Sequence, residues 1–102
     1  MVQVLYAQRA QTDLLEAWLF IAEENMAAAD RVLDTIEKEA NTLSLQPKMG
    51  RARPELGKSV RSWPTSTPYI LFYQVTDSSL TVLRVLHHAR DVGQLLFEQQ
   101  AN

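Results

Sequence analysis

Between Val60 and His87 three short apolar runs follow one another with very little chain between them. Val60–Trp63 is separated from Tyr69–Val75 by Pro64-Thr65-Ser66-Thr67-Pro68, and Tyr69–Val75 from Leu80–His87 by Thr76-Asp77-Ser78-Ser79. Runs rich in Val, Ile, Leu, Tyr and Phe joined by so few residues predict antiparallel strands, because a parallel crossover needs a dozen residues or more. Along the last run, alternation places Leu80, Val82, Arg84, Leu86 and His88 on one face and Thr81, Leu83, Val85 and His87 on the other. Both faces are mostly apolar, so this strand is expected to be central and covered on both sides. Arg84 in the middle of it needs water, a partner or a ligand.

Upstream, Val2–Tyr6 is β-branched and aromatic and predicts a further strand. A helix is expected from Gln8 to Glu24. Leu14, Trp18 and Ile21 stand at i, i+4, i+7, and Leu15, Leu19 and Ala22 repeat that spacing one residue on. The stripe is wide enough to face both a sheet and a second helix, with Trp18 as a core anchor. Asn25 suits a helix end and an N-cap. A second helix is expected from Ala27 to Leu45, with Ala29, Val32 or Leu33, Ile36, Ala40 and Leu43 inward and Asp30, Asp34, Glu37 and Lys38 wet. So short a link forces an antiparallel hairpin. Pro47 and Gly50 stop the second helix, and Lys48–Lys58 shows no periodicity and is expected to be a loop. The segment Asp91–Gln100 offers Val92, Leu95, Leu96 and Phe97 for a helical turn or two.

The expected architecture is α+β: an N-terminal strand, an antiparallel helix hairpin and a three-stranded antiparallel meander. The helices cover one face of a sheet of about four strands, and the second face is partly open. One domain spans residues 1–102, a length that buries roughly two thirds of the surface of the unfolded chain. No cysteine is present, so a disulfide framework and a thiolate metal site are excluded. No run approaches the ~20 apolar residues of a membrane span, and the first residues lack the pattern of a secretory signal. A cytoplasmic protein is the expectation.

The formal net charge is −2, which speaks against a general nucleic-acid binder. The distribution is uneven. Asp13 to Glu39 holds eight acidic and two basic residues, whereas Lys48 to Arg61 holds five basic residues and Glu55. Adjacent histidines on a strand face opposite ways, and no ligand spacing suggests a metal; no cofactor motif occurs. One set merits weighing as chemistry: Arg61, Arg84, His87 and His88, with Arg51 and Arg53 nearby. Cations that stabilise a phosphodiester transition state and a group that moves a proton near neutral pH make a metal-free ribonuclease on paper. In the alternative, Arg61 and Arg84 pair with acids from the helices or the tail, and His87 closes a strand end.

The strings Pro47-x-x-Gly50-Arg51-x-Arg53-Pro54-Glu55-Leu56, Arg61-Ser62-Trp63-Pro64, Tyr69-Ile70-Leu71-Phe72-Tyr73 and Arg84-Val85-Leu86-His87-x-Ala89-Arg90-Asp91, with Asp13-Leu14, Trp18, Ile21-Ala22-Glu23, Asn25 and Ala28-Ala29-Asp30-Arg31 in the helices, resemble the ParE toxins of the RelE/ParE superfamily. The resemblance covers about residues 2–92. Ala7 and Met26 depart from the usual pattern at helix starts only.

The resemblance implies a toxin of a type II toxin–antitoxin module, neutralised by a small ParD-like antitoxin whose amphipathic segment wraps the helix hairpin and sheet. Contact with DNA would be indirect, through that complex. ParE toxins characteristically inhibit DNA gyrase, and RelE relatives instead cut mRNA on the ribosome using basic residues and usually a late Tyr. Arg61 and Arg84 stand where two such basic residues are expected, yet no Tyr follows Tyr73. That favours gyrase inhibition without catalysis. The alternatives are a ribonuclease using Arg61, Arg84, His87 and His88, or an inert homologue active only in an antitoxin complex. Candidate target contacts are Arg51, Arg53, Lys58, Arg61, Arg84, His87 and Arg90, with the tail Val92–Phe97. Candidate antitoxin contacts are Leu15, Leu19, Leu33, Ile36 and Trp63.

Overall fold

A computed structural model describes residues 2–91. The elements are β1 (Gln3–Tyr6), α1 (Gln8–Ala22), α2 (Met26–Leu45), β2 (Arg51–Ala52), β3 (Val60–Pro64), β4 (Tyr69–Val75) and β5 (Ser79–His87). They form the expected α+β arrangement with one strand more than expected, a five-stranded sheet in the order β1-β5-β4-β3-β2. Neighbours β2–β3, β3–β4 and β4–β5 are antiparallel, and β1 lies parallel to β5. The two helices between β1 and the meander provide the long crossover that a parallel neighbour requires.

The helix hairpin is set by Asn25. Its backbone is extended, and its side chain accepts the Ala28 N–H at 3.0 Å, satisfying an otherwise orphaned donor at the start of α2. Such a cap contributes about 1 kcal/mol. The inner face of α1 is narrower than its leucines suggested. Ala10 and Ala17 are fully buried, Leu14 and Ile21 pack beside them, and Leu15 and Leu19 face outward. Two alanines let α1 lie close to its neighbours, which rotates the larger Leu15 and Leu19 away. Trp18 is half-buried rather than a core anchor, its indole N–H donating to Asp30 at 2.8 Å across the hairpin. On α2 the buried set is Ala29, Ile36, Ala40, Leu43 and Ser44, close to the expected stripe.

The connector 48–58 is not the loop its sequence suggested. Two 3₁₀ turns, Pro47–Met49 and Pro54–Leu56, flank β2, which pairs with β3 through Arg51 and Ala52. Tertiary contacts hold it. The Tyr73 hydroxyl donates to the Pro47 carbonyl at 2.7 Å and accepts the Gly50 N–H at 3.0 Å. A Cβ on Gly50 would collide with that hydroxyl and with the Ser62 carbonyl. Glycine is required there by close approach.

A bulge changes the face assignment of β5. Phe72 pairs with Arg84 but Tyr73 pairs with Val82, so Leu83 is the extra residue. After it, Val85 and not Arg84 joins Leu80 and Val82 in the main core, with Leu71, Tyr73 and Tyr69 from β4. Leu86 falls with Phe72 on the opposite face, where Leu56 and Ile70 pack against them. That face is therefore partly closed by a small second core. No helix among the described residues is long and apolar enough to cross a membrane. The expected turn through Val92, Leu95, Leu96 and Phe97 lies outside the described residues.

Glu39 ties α2 to the β3–β4 turn. Its carboxylate accepts the Trp63 indole N–H at 3.0 Å, the Ser66 N–H at 2.9 Å and the Ser66 hydroxyl at 2.7 Å. Burial pushes its pKa up, but these bonds outweigh it and hold the group below its ordinary 4.5. Glu39→Ala is expected to lower stability in urea unfolding by about 1–3 kcal/mol. Because the folded pKa is depressed, the wild-type contribution is fully present above pH 4.5 and is lost as the pH falls through the folded value. The difference between wild type and variant should shrink accordingly below pH 4.5.

Candidate functional site

The free part of β5 is where α1 and the sheet meet in charge. β1 ends at Tyr6, opposite Val82, and the Ala7 N–H closes on the Val82 carbonyl. Beyond that point β5 continues to His87 with its outer edge uncovered by a strand. Asp13 of α1 occupies the edge. Its Oδ2 accepts the Val85 N–H at 3.0 Å and the Arg84 Nε–H at 2.8 Å, and Oδ1 accepts an Arg84 Nη2–H at 3.1 Å. This is a fork-to-carboxylate pair, with Asp13 8% and Arg84 18% exposed. Two residues on, the His87 N–H is taken by the Asp91 carboxylate at 3.0 Å. Two carboxylates thus hold alternate edge donors that a further strand would otherwise pair with.

Arg90 completes this end. Its guanidinium bonds to Asp91 at 3.2 Å and lies 4.4 Å from the ring centre of Phe20, an aromatic residue 57% exposed on α1. A cleft of about 550 Å³ runs between α1 and β5, with Thr12, Asp13, Phe20, Tyr69, Arg84 and Arg90 on its wall. His87 meets Tyr69 edge-on at 5.4 Å and stacks on His88 at 5.1 Å. The two imidazoles do not face opposite ways as strand alternation required, because β5 stops at His87 and a turn follows. The His87 Nδ1 accepts the backbone N–H groups of Ala89 and Arg90, both at 3.2 Å, which leaves the ring proton on Nε2. Burial first, then Arg90 and His88, pull its pKa below the ordinary 6.5, and Asp91 only partly opposes them. The ring is therefore neutral at pH 7.

The other basic candidates are carried by β2, β3 and the chain between them. Arg51 and Lys58 are exposed. Arg53 pairs with Glu55 at 2.7 Å, donates to the Ser62 hydroxyl at 3.2 Å and stands 5.9 Å from the Phe72 ring centre. Arg61 pairs with no acid among the described residues. Its Nη1 donates to the carbonyls of Gly50 at 2.7 Å and Lys48 at 3.4 Å. By element, Arg84, His87 and Arg90 belong to the end of β5 and the turn after it, and Arg51, Arg53, Lys58 and Arg61 to β2, β3 and the chain between them. Arg53 nonetheless reaches over Phe72, the cross-strand partner of Arg84.

Of the proposed partner contacts, Leu15 and Leu19 are 58% and 52% exposed, and Leu33 is half-buried. Trp63 is half-buried and tied to Glu39. Ile36 is 1% exposed and belongs to the core, so it has no surface to offer. The sequence offered an acid from the helices or the tail as one partner for Arg84 without naming Asp13, and it missed Phe20 as exposed apolar surface. The first had a signal: an acid between Ala10 and Ala17 on the inner helical face.

A two-helix crossover packed on a mostly antiparallel sheet is the fold of a known class of small toxins. The structure described as the chromosomal ParDE TA system from P. aeruginosa superposes with a TM-score of 0.71 at 18% identity, over 85% of this chain and 96% of that one. Toxin RelE2 of Caulobacter vibrioides is 29% identical over 90 residues, 88% of this chain and 99% of that protein. The family described as ParE toxin of type II toxin-antitoxin system, parDE, matches residues 4–92. The chain belongs to that family.

Asp13→Asn is expected to remove the carboxylate shared by the Arg84 guanidinium and the Val85 N–H and to cost about 2–3 kcal/mol in urea unfolding. In a double-mutant cycle with Arg84→Met the coupling between the two sites should exceed about 1 kcal/mol. A coupling near zero would mean the pair does not hold the edge.

Proposed function

We propose that this toxin acts by binding DNA gyrase, without chemistry of its own, and that a ParD-like antitoxin silences it. The observation that carries the reading is the engagement of Arg84 by Asp13. A phosphate-binding arginine offers a forked edge to the substrate, and here the Nε–Nη2 edge meets a carboxylate on α1. His87 supports the same reading: a neutral imidazole whose Nδ1 is occupied by backbone donors is a poor general acid at pH 7. The basic residues are spread over β2, β3 and the end of β5, which suits a broad recognition surface better than a compact catalytic centre.

The test pairs two assays on antitoxin-free protein. Gyrase supercoiling is expected to be inhibited in a dose-dependent way while ribosome-bound mRNA stays intact. Unimpaired supercoiling at large excess of toxin would sink the proposal. The RelE-type reading keeps a place because the relative from Caulobacter vibrioides carries the RelE2 name. It requires message cleavage that Arg84→Ala abolishes in a variant still folded by circular dichroism. Unchanged growth on expression without antitoxin would instead point to an inert homologue.

For the antitoxin, the supporting feature is the apolar strip Leu15, Leu19 and Met26 on the outer side of the hairpin, with Phe20 beside it. An amphipathic segment laid along α1 buries such a strip. Leu15→Glu with Leu19→Glu is expected to weaken antitoxin binding at least about tenfold. Exposed positions tolerate change, so the melting temperature should move little. Equal affinity in a calorimetric titration would place the antitoxin elsewhere.

A further inference from the structure

We infer that the cleft between the end of α2 and the β4–β5 turn binds a carboxylate side chain of an acidic, partly apolar peptide segment. The cleft measures about 780 Å³, and its walls include Lys48, Met49, Ser59, Arg61, Val75 and Thr76. It lies beside β2 and β3, away from the Asp13–Arg84 edge, and its binding of an acidic peptide does not depend on which target the toxin has.

Arg61 is the centre of the argument. Among the described residues it has no carboxylate partner, and its hydrogen bonds run from a single nitrogen, Nη1, to the carbonyls of Gly50 and Lys48. Those two acceptors fix the guanidinium, and Nε and Nη2 keep their donors for a ligand. A half-buried, oriented guanidinium with free donors is prepared for a carboxylate, because little side-chain freedom remains to be lost on binding. Its anchor is itself rigid: the Gly50 N–H and the Pro47 carbonyl are clamped by the buried Tyr73 hydroxyl. Lys48 adds a second cation without an acidic partner among the described residues, and Asp77 is the one acid on the wall.

The choice of a peptide over a nucleic acid follows from what else lines the space. Among the described residues no aromatic ring stands on its wall, so they give a base no stacking surface. Pro47, Met49 and Val75 instead offer apolar surface to the neighbours of an Asp or Glu side chain. Met49 is 39% exposed and shares this wall with Lys48 and Arg61.

The probe is an end-capped octapeptide of alternating Glu and Leu, titrated into the isotope-labelled full chain at low salt and followed by amide NMR. Saturable shifts are expected at Lys48, Ser59, Arg61 and Thr76, with none from the matching Gln-Leu peptide. Arg61→Gln should weaken binding about tenfold or more, and Arg61→Lys, which keeps the charge but loses the fork, by a smaller factor. Lys48→Gln provides an independent loss that leaves the Gly50–Tyr73 clamp untouched. Arg31→Gln, a change of the same charge on exposed α2, should have no effect. The proposal is overturned if no saturable shifts appear, or if affinity is unchanged in both the Arg61 and Lys48 variants. It is equally overturned if single-stranded octathymidylate binds the same amides as tightly as the acidic peptide.

Discussion

The Asp13 carboxylate is the point on which the two layers of this protein depend. One side chain receives a backbone N–H from β5 and the forked guanidinium of Arg84, and it does so from the inner face of α1. β1 is only four residues long, so it protects half of β5 and leaves the rest as an open edge. An open edge invites pairing with other chains. Here a helix supplies the missing acceptor, and Asp91 repeats the arrangement at His87. A buried ion pair is weak evidence of net stability, since desolvation opposes the Coulombic gain. Its value in this fold is geometric: it fixes where α1 lies on the sheet and which way Arg84 turns.

That geometry has a chemical consequence. The Arg84 guanidinium is engaged at the edge of the sheet, while Arg53 reaches over Phe72, the cross-strand neighbour of Arg84, and Arg61 lies on β3. Arg61 is held by backbone carbonyls, and Arg53 by Glu55 and Ser62. Arg84 and Arg90 are knitted into Asp13, Asp91, Tyr69 and Phe20. Apolar surface is concentrated elsewhere, on the outer side of α1.

Much of the fold was legible because periodicity reports burial directly. The meander, the helix hairpin, the Asn25 cap and the α2 stripe all rest on local patterns that tertiary packing reinforces. The errors have specific causes. Leu15 and Leu19 matched a helical stripe, but hydrophobicity outranked size, and the smaller Ala10 and Ala17 permit the closer contact. The connector lacked periodicity because its order comes from Tyr73 and β3, both distant in sequence. On β5, simple alternation put Arg84 in line with Val82, and the bulge at Leu83 broke the line. The candidate site was legible as a set of residue types and not as an arrangement.

From the sequence alone came the class of fold, the family resemblance and the presence of cations on apolar strands. These depend on local spacing and residue type, which the chain carries in one dimension. Only the tertiary structure decided that β1 joins β5 in parallel, that β2 exists, and that Arg84 meets Asp13 across 71 positions of chain. Those features are pairings between distant segments, selected by the joint packing of both helices on the sheet, and no local pattern encodes them. The stretch around Arg84 is therefore an edge closed by carboxylates, and its arginine is a tie between layers.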